Sequence, residues 1–250
     1  MKTKLTGAVA VLASAALLAT GCGGQGKDDA AAPAKATSAA PATNGVEALE
    51  AAQILDKSKA ALKSATSFHT KGEMMSEGSK IGLDLKNAGE NVKADVSMNG
   101  AKVELLQVAG RRYMRPDAKF WVMFGGGQAQ GAEIAKLVGD RWVQAKATDK
   151  STAGLFEIAD VDSLLDTGGT LTKGAAKDFE GKPAIALVDK SDEGGTLYVA
   201  TTGEPYPLKL EAPNPADGGL TFSEFGATFA DLNAPAAADV LDLDKLLKKS

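Results

Sequence analysis

The chain has 250 residues, of which 44% are hydrophobic, 24% charged and 5% aromatic, and its 28 basic and 32 acidic side chains give a net charge of -4. An ordinary apolar fraction excludes disorder throughout, and without a basic excess there is no positive field for nucleic acid. One cysteine, Cys22, excludes an intrachain disulfide and a thiolate cluster, and one histidine, His69, leaves no second imidazole for zinc, so neither a metal nor a cofactor is expected.

Met1-Lys2-Thr3-Lys4 is basic, and the fourteen residues from Leu5 to Leu18 carry no charge. A membrane-spanning helix needs about 20 apolar residues, so residues 1–21 read as a secretory signal peptide. Ala19-Thr20-Gly21 then leads into Cys22 and resembles a bacterial lipobox, with Ala19 standing where leucine is usual. That resemblance implies cleavage before Cys22 and acylation of its sulfur, hence a lipid anchor on the extracytoplasmic face of the cell membrane. Losing Lys2 and Lys4 takes the net charge to -6, which gives no general attraction to anionic lipid. Residues 23–45 hold no large apolar side chain and cannot offset the entropy lost on folding. Residues 22–45 therefore read as a lipidated cysteine on a disordered tether with a reach of roughly 25–30 Å, and residues 46–250 as a single domain.

From Val46 to about Ala65, apolar Leu49, Ala52, Leu55, Leu62 and Ala65 recur at helical spacing and predict an amphipathic helix. The period then becomes two, and three candidate two-residue loops fix registers. A loop at Glu77-Gly78 sets Met74 against Ile81 and Gly72 against Leu83. One at Ala88-Gly89 sets Leu85 against Val92, and one at Asn99-Gly100 sets Met98 against Ala101 and Val96 against Val103. All three gather the apolar residues on one face of an antiparallel meander and put Lys71, Glu73, Asp84, Lys86, Lys93, Asp95, Lys102 and Glu104 on the other. Gly72 and Ala94 leave room within the apolar face.

Leu106 and Val108 break the alternation, as a bulge would. Strands are expected through Tyr113 and Met114 and from Phe120 to Phe124, then a glycine-rich connector and a helix with Ile134, Leu137 and Val138. Trp142-Val143 follows, with an acidic helix over Asp160 to Leu165. Strands resume at about 170–179, 183–190, 196–201, 206–212 and 219–231, separated by Gly-Gly pairs, Thr202-Gly203 and prolines.

Little here points to catalysis. His69 falls on the polar face of its strand as a solvated side chain, and no G-x-S-x-G elbow is present. Gly125-Gly126-Gly127 precedes a helix, but Gly131 is followed by Ala132-Glu133 where a phosphate-binding loop needs Lys and Ser or Thr, so a flexible connector that borders an entrance is expected. Asp160, Asp162 and Asp166, like Asp239, Asp242 and Asp244, lie outside any calcium-loop spacing. Arg111, Arg112, Arg115 and Lys119 are a basic cluster read either as solvated turn residues or as contacts for an anionic headgroup. The residues alone leave the apolar face open to two fillings, a close-packed core or an acyl-sized cavity.

The C-terminal third adds a resemblance. Gly181-Lys182-Pro183, Ala186-Leu187-Val188, Gly195 to Ala200, Gly203 to Leu210, Thr221 to Gly226 and Ala234-Pro235 look like the strand series of LppX/LprG-type actinobacterial lipoproteins. So do Ser67 to Thr70 after the first helix, Arg112-Tyr113-Met114 and Phe120-Trp121. The resemblance spans residues 46–243 and implies a LolA/LolB-like α+β fold, a curved antiparallel half-barrel sheet whose concave face is covered by helices. It further implies a non-enzymatic lipoprotein that binds acylated lipid or lipoglycan and carries it across the envelope, with an unidentified transport partner. The candidate cavity residues are Phe68, Met74, Ile81, Leu83, Leu85, Val92, Val96, Met98, Val103, Leu105 and Phe124. The alternative is a tethered scaffold with a packed core that acts through a protein partner.

The anchor is directly testable: Cys22→Ala should move the protein from the membrane to the soluble fraction, and unchanged membrane attachment would exclude acylation at Cys22 as the anchor.

Overall fold

The computed structural model describes residues 42–76, 78–145, 150–157, 161–191 and 194–242. The expected signal peptide, Cys22 and most of the tether lie outside the described residues, as do Glu77, Asp160 and Asp244. The described residues form one compact unit. After a 3-10 turn at Val46–Ala48, helix α1 (Ala51–Ser64) opens it, and Glu50 and Gln53 cap that helix reciprocally, the Glu50 amide donating to Gln53 Oε1 at 3.2 Å. The first meander comprises β1 (Ser67–Ser76), β2 (Ser79–Ala88), β3 (Asn91–Met98), β4 (Ala101–Val108) and β5 (Arg111–Pro116). Helices α2 (Ala118–Phe124) and α3 (Gln128–Val138), strand β6 (Trp142–Ala145) and helices α4 (Lys150–Glu157) and α5 (Val161–Leu164) follow. The second meander comprises β7 (Leu171–Phe179), β8 (Lys182–Asp189), β9 (Thr196–Ala200), β10 (Pro207–Glu211) and β11 (Gly218–Ser223), and a short β12 (Val240–Leu241) ends the described chain.

The strands form one open, curved sheet in the order β12-β6-β5-β4-β3-β2-β1-β11-β10-β9-β8-β7, antiparallel except for β12 beside β6. With a few helices packed on the apolar face, this is the expected α+β half-barrel. Among the described residues no helix is long and apolar enough to cross a membrane.

Two turns give the expected registers, Met74 against Ile81 and Met98 against Ala101. The middle one differs by two residues: Leu85 faces Ala94, not Val92, because the loop is Gly89-Glu90. Gly89 takes φ 61° at the first loop position while Glu90 stays at negative φ, the pattern of a II′ turn. A slip of two preserves the face, so the apolar set is unaffected.

Side by side, the registers align an apolar row across eight strands: Leu187, Leu197, Leu210, Leu220, Gly72, Leu83, Val96 and Val103. At Gly72 the row crosses the seam between the meanders. That glycine does not leave room, as its neighbours suggested; a methyl there would overlap the Gly219 carbonyl oxygen, and one at Gly218 would overlap that of Glu73. Ala94 likewise leaves no space, being 1% exposed within the core.

Three further expectations are corrected. There is no bulge at Leu106, since β4 pairs in continuous register with β3 and β5. Leu106 instead joins Tyr113 and Trp142 in a small cluster on the opposite face, beneath Leu232 and Val240. Residues 118–124 are helical because Asp117 caps them, its carboxylate accepting from the Phe120 amide at 2.7 Å, and that capped turn outweighs the strand preference of the aromatics. The last long strand stops at Ser223. Residues 224–239 run as an irregular strap held by the Tyr206–Phe225 ring stack at 4.0 Å and by Asp231, which pairs with Lys86 at 3.0 Å and Lys93 at 3.1 Å. The Lys86 contact, reinforced by Lys93, holds the Asp231 carboxyl at about 2.

Close packing at the seam predicts that Gly72→Ala costs about 1–3 kcal/mol, lowering Tm by roughly 2–4 °C per kcal/mol for a domain of this size. A thermal scan showing an unchanged Tm would contradict the seam geometry.

Candidate functional site

The apolar face is built from both meanders and α1, which packs on β7, β9 and β10 and against α5. Its middle is filled. Phe68, Leu85, Val92, Val103 and Leu105 are buried in one cluster with Ile54, Leu55 and Leu62 of α1, and Leu83 and Val96 pack against it partly buried. Of the remaining sequence-predicted cavity residues, Met74, Ile81 and Met98 are half-buried and Phe124 is 54% exposed on α2.

Open space remains on both sides of this packed middle. A cleft of about 580 Å³ lies between α1 and the second meander, walled by Leu55, Leu171, Leu187, Leu197 and Leu210, with Met74 of β1 completing it. Three of the wall leucines belong to the apolar row, and Leu187 faces Leu197, which faces Leu210. Gly168, Gly194 and Gly195 line it with backbone alone, and a methyl at Gly194 or Gly195 would overlap the Asp189 or Glu211 carbonyl oxygen. Its rim is polar. Asp189 accepts from the Ser191 amide at 2.8 Å and the Gly169 amide at 3.3 Å, and these backbone donors lower its carboxyl below the ordinary range. Glu211, in register with Gly219 and Glu73, turns its carboxylate to the opposite face, where it accepts from Lys209 at 2.6 Å and from the Tyr198 hydroxyl at 3.0 Å; the Lys209 contact leads in lowering its carboxyl.

A second opening of about 370 Å³ lies where Leu62, Phe68, Val92 and Phe156 meet Arg112 and Glu90. Leu55 and Leu62 of α1 thus border one opening each, and Ser58 lies between them on the same helix face, fully buried. Its hydroxyl, the Thr70 hydroxyl and the Trp121 indole N–H are buried without a hydrogen-bond partner.

Sequence reasoning placed the apolar space along the first meander and missed Leu55, Leu171, Leu187, Leu197 and Leu210. The strand alternation of Leu187, Leu197 and Leu210 was visible, but the packing of α1 over them was not.

His69 is not solvated. Its Nε2 lies 2.6 Å from Asp84 and its Nδ1 2.8 Å from Glu224 of the strap, with the Phe229 ring edge-on at 6.5 Å. The basic cluster separates: Arg115 forms a bidentate pair with Glu104 at 2.7 and 2.9 Å and lies over Trp142, Arg112 donates to Gln107 and covers Phe156, and Arg111 is exposed. Gly131 of α3 serves the close crossing with α2, since a methyl there would overlap the Trp121 carbonyl oxygen, and Gly125 caps the C-terminus of α2 against that same oxygen. Among the described residues no group of three or more His, Cys, Asp or Glu is placed to hold a metal ion.

No family model and no curated protein matches the chain. Solved structures similar to it include LprF from Mycobacterium bovis, at 15% identity and TM-score 0.45, covering 78% of this chain and 100% of that one. The lipoprotein LppX from Mycobacterium tuberculosis is similar at 12% identity and TM-score 0.39, covering 72% and 96%. MucB, whose structure is known in complex with MucA(peri), is similar at 15% identity and TM-score 0.38, covering 74% and 59%. The first two are actinobacterial lipoproteins of the kind that the strand series resembles. At these identities and scores the likeness is one of chain course and carries neither ligand nor partner.

A leucine-walled cleft predicts that the protein takes up the apolar fluorophore diphenylhexatriene, and that Leu171→Trp, on the edge strand, lowers that uptake severalfold with little change in Tm. Equal uptake by the variant would place the fluorophore elsewhere.

Proposed function

We propose that the chain is a membrane-tethered, extracytoplasmic lipoprotein that binds acylated lipid or lipoglycan and carries it across the envelope without catalysing a reaction. The observation that carries this reading is the cleft beneath α1. Its volume of about 580 Å³ falls within the range of small-molecule sites, ~300–1,000 Å³, and it combines an apolar wall with a few polar groups at the mouth, as such sites do. The leucines suit an acyl chain. The Asp189 carboxylate at the rim is a hydrogen-bond acceptor, which suits the hydroxyls of a glycosylated or polyol headgroup.

Energetics define what such a protein does. Moving a methylene from water into the cleft gains about 0.8 kcal/mol, whereas moving it from a bilayer gains little, because one apolar medium replaces another. The protein then keeps lipid out of water in transit, and direction comes from the donor and acceptor membranes. Acylated Cys22 would hold the carrier at the membrane, with an unidentified transport partner as a further participant.

A second reading, a tethered scaffold acting through a protein partner, is favoured by the filled middle of the interior, where Leu85 and Leu105 are 0% and 1% exposed. Native mass spectrometry of the membrane-purified protein separates the two. The carrier reading predicts one lipid retained per chain, lost on delipidation and restored on incubation with a membrane extract. Lipid-free protein after gentle purification, with none taken up afterwards, would favour the scaffold.

A further inference from the structure

The α2–α3 hairpin lies outside the cleft and has its own surface. Along it runs an open groove of about 720 Å³, floored by Val122, Met123, Ala132 and Ala135 and flanked by Lys119 and Lys136, the only charged groups that line it. Among the described residues neither lysine forms an ion pair. Met123 is 45% exposed, Phe124 54% and, beside Lys136, Leu137 41%, which accounts for three of the four large apolar side chains most exposed among the described residues. Phe124 is backed by Phe120, their ring centroids 4.6 Å apart, so it is held outward and not loosely placed. Gly126 and Gly127, at φ 96° and 93°, reverse the chain immediately after Phe124 with no side chain over the tip.

We infer that this hairpin is the surface with which the domain docks on an anionic bilayer, Met123 and Phe124 entering the interface and Lys119 and Lys136 meeting lipid phosphates. Charge complementarity selects this partner. An apolar floor with cations alone at its borders matches an interface that places acyl chains beneath a layer of phosphates. The rest of the surface orients the contact, because the groove on the sheet's polar face sets Glu73, Asp84, Asp95, Glu104, Asp117 and Asp140 against Lys71, Lys102 and Arg115, and this net negative charge is repelled by such a membrane. The inference rests on the carrier reading to the extent that a tether of roughly 25–30 Å keeps the bilayer within constant reach. It deepens that reading by naming the face that meets the donor or acceptor membrane.

The test uses the full chain reconstituted in vesicles of phosphatidylglycerol and phosphatidylcholine with brominated acyl chains, comparing Phe124→Trp with the wild-type chain, whose own Trp121 and Trp142 set the background. We expect the added fluorescence at position 124 to be quenched at least twofold relative to unbrominated vesicles, and the quenching to fall to background in pure phosphatidylcholine or when Lys119→Glu and Lys136→Glu are added. Absence of quenching at position 124 in the anionic vesicles would overturn the docking surface. So would equal quenching in neutral vesicles, which would remove the role given to the lysines. A concentration-dependent dimer abolished by Phe124→Ser, without quenching, would overturn it too and assign the patch to a second copy of the chain. Lipid retained in native mass spectrometry alongside a negative result here would sink the docking surface alone, whereas quenching by a chain that retains no lipid would sink the carrier reading and leave the docking surface standing.

Discussion

The pairing of β1 with β11 holds the two halves of this molecule in one sheet. Each meander is stitched by local turns, but the seam joins residues about 150 positions apart, Gly72 with Leu220 and Met74 with Gly218. Such non-local contacts carry the loop-closure cost of bringing distant chain together and are compensated only by what is buried once they form. Here they complete an apolar row across eight strands and give α1 a continuous surface to cover. Glycines at 72, 218 and 219 let the backbones approach where side chains would collide.

That architecture also places the cleft. Beneath the first meander, Phe68, Leu85 and Leu105 meet Ile54 and Leu62 of α1 in a close-packed cluster. Beneath the second, the leucines of β7 to β10 meet α1 mainly through Leu55, and the space beyond it stays open. The filled half supplies rigidity and the open half supplies capacity. The outer face is secured differently, by a C-terminal strap tied through Glu224 to His69 and through Asp231 to Lys86 and Lys93.

Much of this was legible in the sequence wherever a local rule decided the outcome. Two-residue loops with a residue able to take positive φ fixed the strand faces, and the Gly89-Glu90 loop misled only by a shift that keeps the face. Leu106 looked like a fault in the alternation because a strand covered on both sides loses its period; its cover, Leu232 and Val240, lies over a hundred residues away. Phe120 to Phe124 looked like a strand because its aromatics outweighed the single capping aspartate before them. His69 looked solvated because Glu224, which holds its second nitrogen, comes from the strap. Leu171, Leu187, Leu197 and Leu210 come together within the second meander, but Leu55, which covers them, comes from α1 more than a hundred residues earlier. The expected signal peptide and the lipobox-like Cys22 are readings of the sequence alone and fall outside the described residues.

The central claim is that an acyl chain lies against the leucines beneath α1. Methyl spectra of leucine-labelled protein titrated with a stearic acid bearing a nitroxide near its methyl end address it directly. Selective broadening of Leu171, Leu187, Leu197 and Leu210, with Leu85 and Leu105 less affected, is the predicted result. Broadening confined to exposed Leu137, or none at saturating ligand, would show that the cleft holds no acyl chain.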